Sequence, residues 1–145
     1  MSSSSIRSGR TAAIIAVGLV AIGVLAFLLW KSRVEPVPRE DEGRPIADRF
    51  LSRISEGNLD EAWESTTADY KSDQGRDAFR SFVTARPGLK QPAEFVGFEE
   101  ISVNELTRWK YTYRLQTPLP SGSSEVGVLI ANENGVWKVE QFVAP

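Results

Sequence analysis

The sequence predicts an α+β chain: an N-terminal transmembrane helix, then a small roll of about three helices packed on a curved antiparallel sheet of about four strands. Three observations carry this. Residues 12–30, from Ala12 to Trp30 (AAIIAVGLVAIGVLAFLLW), hold no charge and no proline. Between residues 44 and 83 apolar side chains recur at helical spacing. From residue 95 to 143 they alternate, or run in short blocks between turn residues. Helices followed by strands, without alternation, is the order of a domain whose helices are segregated to one face of an antiparallel sheet.

The apolar stretch comes first in the chain. As a helix it would run about 28 Å, close to the hydrocarbon thickness of a bilayer. Arg7 and Arg10 precede it, Lys31 and Arg33 follow it, and Trp30 falls where an indole sits at headgroup level. Its end, Phe27-Leu28-Leu29-Trp30, is too bulky for a signal-peptidase site, and its core is longer than the 7–15 residues usual for a cleaved signal. The stretch therefore reads as a retained anchor whose partner is the lipid bilayer. Orientation is contested within the sequence. Lys31, Arg33, Arg39 and Arg44 outnumber the N-terminal charges, which by literal positive-inside counting holds the C-terminal domain in the cytoplasm. A short basic tail before a long uncleaved span behaves instead as a signal anchor, and on that ground we expect a single-pass protein of the inner membrane with its C-terminal domain exported.

The remaining organisation follows from composition. Residues 1–11 (MSSSSIRSGRT) read as a polar tail that is expected to be disordered. Residues 31–43 (KSRVEPVPREDEG) read as a charged, proline-containing linker, and 44–145 as the folded domain. In that domain Ile46, Phe50 and Ile54, flanked by Ala47 and Leu51, give a first helix that Gly57-Asn58 ends. A second helix carries Leu59, Ala62, Trp63 and Thr66. A third carries Phe79, Phe82 and Val83 and stops at Pro87-Gly88. Strands are expected over 95–103, 108–117, 125–131 and 136–143, with a hairpin loop at 118–123 and an Asn134-Gly135 turn. The second strand alternates cleanly. Trp109, Tyr111, Tyr113 and Leu115 share one face; Lys110, Thr112, Arg114 and Gln116 share the other.

The 145 residues contain no cysteine and no histidine. Disulfides and thiolate metal sites are excluded, and the usual general base and commonest metal ligand are missing. Lys and Arg number 17 against 19 Asp and Glu, interleaved and without a basic stripe, so nucleic acid is not an expected partner.

Two phrases connect the domain to a known family. Ala47-x-x-Phe50-Leu51-x-x-Ile54 is followed by Gly57-Asn58-Leu59-Asp60-x-Ala62-Trp63, and the chain ends in Asn134-Gly135-Val136-Trp137-Lys138-Val139-x-x-Phe142. With the order of elements, these resemble the nuclear transport factor 2-like (cystatin-like roll) superfamily over residues 44–143, in particular small bacterial membrane-anchored members. The resemblance implies a cone-shaped pocket in the enzymes and carriers of that superfamily, and docking surfaces in its inert assembly modules. Its enzymes often pair a pocket histidine with an aspartate, and this chain has no histidine.

Candidate sites follow. Trp63, Tyr70, Trp109, Tyr111 and Tyr113, together with Phe79 and Phe82, would either line a pocket or simply fill the core. Acid–base work without histidine would need a carboxylate of raised pKa, with Asp69, Glu99 and Glu100 the places to look. Asp60, Glu61 and Glu64 read as first-turn helix charges and not as a metal cluster. No catalytic, cofactor-binding or metal-ligating residue is assigned, and no cofactor is expected. The expected function is a non-catalytic interaction or assembly domain of the cell envelope. It would dock on another membrane protein or a second copy through Lys110, Thr112, Arg114 and Gln116. The alternative is a small-molecule carrier or weak lyase or isomerase using a cone-shaped pocket.

Overall fold

A computed structural model describes residues 37–145. The predicted tail 1–11, the span from Ala12 to Trp30 and the first part of the linker lie outside the described residues. Among the described residues no helix is long and apolar enough to cross a membrane.

The described chain is α+β. Helices α1 (Glu40–Ser55), α2 (Leu59–Glu64), α3 (Ala68–Asp73) and α4 (Arg76–Thr84) and a 3-10 turn (Pro87–Lys90) precede four strands. These are β1 (Ala93–Val103), β2 (Leu106–Leu115), β3 (Glu125–Glu133) and β4 (Val136–Val143), an antiparallel meander in the order β1-β2-β3-β4.

Two differences from the sequence reading have physical causes. Helix α1 opens at Glu40, inside the stretch read as linker. Glu40, Asp41 and Glu42 fill its first turn, where the helix dipole favours carboxylates, and the Glu42 carboxylate accepts the Arg39 N–H at 3.1 Å. Those acids, with Gly43 and Pro45, look like linker composition; their positions make them an N-terminus. The second expected helix divides into α2 and α3. Between them the β-branched pair Thr66 and Thr67 turns extended and docks on β4. The Thr67 N–H donates to the Val139 carbonyl at 2.9 Å, while the Thr67 hydroxyl oxygen caps α3 by accepting the Tyr70 N–H at 3.3 Å. The Glu133 carboxylate takes the Ala68 N–H at 2.7 Å, which fixes α3 to the end of β3.

The core lies between the helices and one face of the sheet. Ala47, Phe50, Leu51 and Ile54 recur every three or four residues along α1 and are all buried. Opposite them stand Tyr111, Tyr113, Val126, Val128, Ile130, Val139 and Phe142 of the sheet. The register aligns Tyr111 with Val128 and Val128 with Phe142, so three strands present one continuous apolar row. Phe50 sits 5.2 Å from the Phe142 ring and 6.2 Å from Phe79, tying α1, α4 and β4 together. Each such side chain contributes about 1.5–3 kcal/mol when fully buried. The two-residue turns of both outer hairpins use the left-handed region: Asn104 and Glu105 between β1 and β2, Asn134 and Gly135 between β3 and β4.

Candidate functional site

The expected pocket residues fall into three settings. Trp63 and Tyr70 are tied to Gln74: the indole N–H donates to its carbonyl at 2.8 Å and the phenol to its side-chain oxygen at 2.7 Å. Lys71 and Arg76 stack over the Trp63 ring at 5.1 and 4.8 Å, so this indole is a structural platform between α2, α3 and α4. Trp109 packs on Phe98 at 4.7 Å across the first hairpin. Tyr111 and Tyr113 lie under α1. Tyr70, Phe79, Tyr111 and Tyr113 are buried members of the core; Trp63, Phe82 and Trp109 are half-buried against it. Burial pushes the Tyr70 and Tyr111 phenols up to about 12, with Glu40, Glu42 and Asp41 adding to the effect at Tyr111.

Tyr113 lines an open groove. Its hydroxyl donates to Asp48 Oδ1 at 2.6 Å, and Asp48 lies 3.7 Å from Arg44 one turn earlier on α1. The Arg44 guanidinium is stacked 4.0 Å over the Phe95 ring, which meets Tyr113 edge-on at 5.5 Å. Leu51, Ser52 and Ser55 complete one wall, Lys90 and Pro92 the other, around an open volume of about 620 Å³. Burial and the Asp48 carboxylate together raise the Tyr113 phenol far above its ordinary range. It is a fixed hydrogen-bond donor, not a group that gives up a proton near neutrality.

The second face of the sheet carries the residues expected to form an interaction surface. Arg114 and Gln116 are exposed; Lys110 and Thr112 are half-buried. Gln116 stands just beyond the last residue of β2. Lys110 pairs with Glu99 across the hairpin at 2.6 Å, its stem running over Gly127, and Arg114 approaches Glu125 at 4.0 Å. On the same face Arg108, only 5% exposed, holds both oxygens of Glu140 at 2.6 and 2.9 Å. Leu129 and Ala131 of this face are buried.

Asp60, Glu61 and Glu64 have partners suited to a surface. Asp60 holds Arg80, Glu61 approaches Arg53 at 3.6 Å, and Glu64 binds Lys71 at 3.0 Å and Arg76. The Lys71 hydrogen bond, with Arg76 beside it, keeps the Glu64 carboxyl below its usual range. Asp69 is exposed on the first turn of α3. No group of three carboxylates among the described residues is placed to hold a metal ion.

Sequence reasoning missed the Arg44–Asp48–Tyr113 chain, although its i, i+4 spacing on a helix was readable; which strand residue it would meet was not. It also missed Arg108, whose polar position in the alternation resembles that of any solvated arginine. Comparison of the chain with protein-family models finds no match, and comparison with curated proteins finds none either.

Proposed function

We propose that this chain is a single-pass, membrane-anchored, non-catalytic interaction domain of the cell envelope. Residues 12–30 hold it in the inner membrane with the C-terminal domain exported. It docks on another membrane protein or on a second copy. The observation that carries this reading is the division of the sheet. The helices fill one face with the aromatic core, and the other face presents Lys110, Thr112 and Arg114 in one row with Gln116 at its end. A polar, charged row of this kind gives a partner register and specificity more than raw affinity. The helices-then-meander order also supports membership of the nuclear transport factor 2-like superfamily as a curved roll, and the missing histidine favours its assembly modules over its enzymes.

A second reading has one observation in its favour. The Asp48–Tyr113 pair on the wall of an open groove offers convergent polar groups beside the Phe95 ring, the outline of a small-ligand site. Because the Tyr113 phenol is held protonated, that reading favours a carrier over a lyase.

The test begins with the chain's lack of cysteine. Asp77→Cys, on α4 and away from the proposed docking face, introduces one thiol at an exposed position. Alkaline extraction should leave the protein in the membrane pellet, and a membrane-impermeant maleimide should label intact cells. Release into the supernatant would remove the anchor. Labelling only after permeabilisation would reverse the orientation.

A further inference from the structure

We infer that the outer edge of β1 docks an extended, cationic segment of a partner protein, read through Phe98-Glu99-Glu100-Ile101. This rests on the domain being an interaction module, but not on the second face of its sheet. The strand order leaves β1 and β4 at the edges. The β4 edge is already occupied: Thr66 bridges Val139, whose N–H donates to the Ser65 carbonyl at 3.3 Å. β1 is the longest strand, at 11 residues, and among the described residues only β2 pairs with it. Its first part is interrupted by a bulge at Val96, but from Gly97 to Val103 the register with β2 is unbroken. Two large apolar side chains stand exposed on it, Val96 at 45% and Phe98 at 36%. A regular edge of this length is a template for a further strand.

The charges on β1 say which strand. The sequence AEFVGFEEISV carries Glu94, Glu99 and Glu100 and no lysine or arginine. If two copies paired antiparallel about residue 99 or residue 100, that glutamate would stand opposite its own counterpart, and directly opposed like charges destabilise a ladder. Self-pairing centred on either glutamate is therefore disfavoured. The same four positions are complemented by apolar–cation–cation–apolar, a pattern that fits in either strand direction. Glu99 is already bridged to Lys110, whereas Glu100, opposite Trp109, is exposed and has no ion pair among the described residues. Glu100 thus carries most of the discrimination, and Phe98, two residues away on the same face, supplies the apolar contact.

The experiment uses the full chain in detergent and a fluorescent peptide holding Val-Lys-Lys-Val between Ser/Thr flanks. Binding is followed by anisotropy, and amide hydrogen exchange locates it. We expect saturable binding that weakens with salt and slows exchange at residues 97–101, and about tenfold weaker binding by Glu100→Lys. That variant should instead prefer a Val-Glu-Glu-Val peptide. Glu94→Lys, on the far side of the bulge, should change affinity much less. Equal affinity for both peptides, protection elsewhere than β1, or equal effects of Glu94→Lys and Glu100→Lys would each overturn the inference. Glu100 is exposed and has no ion pair among the described residues, so its replacement does not threaten the fold. The peptide assay is independent of labelling at Asp77 and cross-linking at Gln116, so failure here leaves the sheet-face reading standing, and the reverse also holds.

Discussion

Gly43 of α1 lies directly against the Tyr111 phenol of β2: a Cβ at Gly43 would fall inside the contact radius of the hydroxyl and within 2.8 Å of the ring. The same hydroxyl donates to the Arg39 carbonyl at 3.2 Å, so the first turn of α1 is seated on this tyrosine at its closest point. Tyr111 is fully buried and in contact with the core, so the ring has no room to withdraw.

Gly43→Ala is accordingly expected to destabilise the domain, although alanine is the better helix former by about 1 kcal/mol. Overpacking should outweigh that gain and leave a net loss of about 1–3 kcal/mol in denaturant unfolding of the full chain in detergent. Adding Tyr111→Phe removes the nearest atom and should recover part of the loss. A stabilised Gly43→Ala protein would mean that α1 does not approach β2 this closely.

The three tyrosines of the chain are all raised. In each the neutral phenol is the form the fold favours. Their contribution to stability is therefore complete below the ordinary tyrosine value of 10.0 and is lost as pH rises through the folded values, about 12 for Tyr70 and Tyr111 and higher still for Tyr113. Tyrosinate absorbance of the native protein should remain near zero at pH 10, where the unfolded chain is about half ionised. Native ionisation of even one tyrosine at that pH would place a phenol in water.

The two outer hairpins contain their own comparison. Asn134-Gly135 has φ values of 53° and 83°, and Asn104-Glu105 has 50° and 66°. Glycine adopts this region without penalty, whereas a side chain costs about 1–2 kcal/mol there. Glu105→Gly should stabilise the domain by about 0.5–1 kcal/mol, the relief exceeding the extra entropy of the unfolded glycine. Gly135→Ala should do the opposite. A lower melting temperature for Glu105→Gly would contradict the turn geometry.

Glu140→Gln removes the charge from a bidentate partner of Arg108. Glu140 itself is 29% exposed, which screens the pair in part. The expected loss is about 1–3 kcal/mol by urea unfolding, with the secondary structure kept. No measurable change would place this pair among surface contacts such as Arg114–Glu125.

What was legible in the sequence was what repeats. The 3.6 spacing of Ala47, Phe50, Leu51 and Ile54 marked α1, and the alternation from Trp109 to Leu115 identified which face of β2 enters the core. β4 was readable to its end residues because Asn134-Gly135 is a turn signal with one geometry. Features set by single atoms were not legible. The acids before Arg44 look like linker until Glu42 is seen to cap Arg39. Thr66 and Thr67 fit a helix face until the β4 edge claims their backbone. The groove between Asp48 and Tyr113 needs the register of α1 on β2, which no local pattern encodes. The predicted span from Ala12 to Trp30 rests on hydropathy and its flanking residues and lies outside the described residues.

The proposed docking face is most directly tested by cross-linking in native membranes. A photoactivatable probe is attached to Gln116→Cys on the sheet face. As a control the same probe is attached to Asp77→Cys on α4, where the native side chain is 95% exposed. We expect a discrete adduct from Gln116→Cys that is absent from Asp77→Cys and lost when Arg114→Glu is added, with the domain still folded. Adducts equal from both positions, or unaffected by Arg114→Glu, would contradict a docking role for the second face of the sheet.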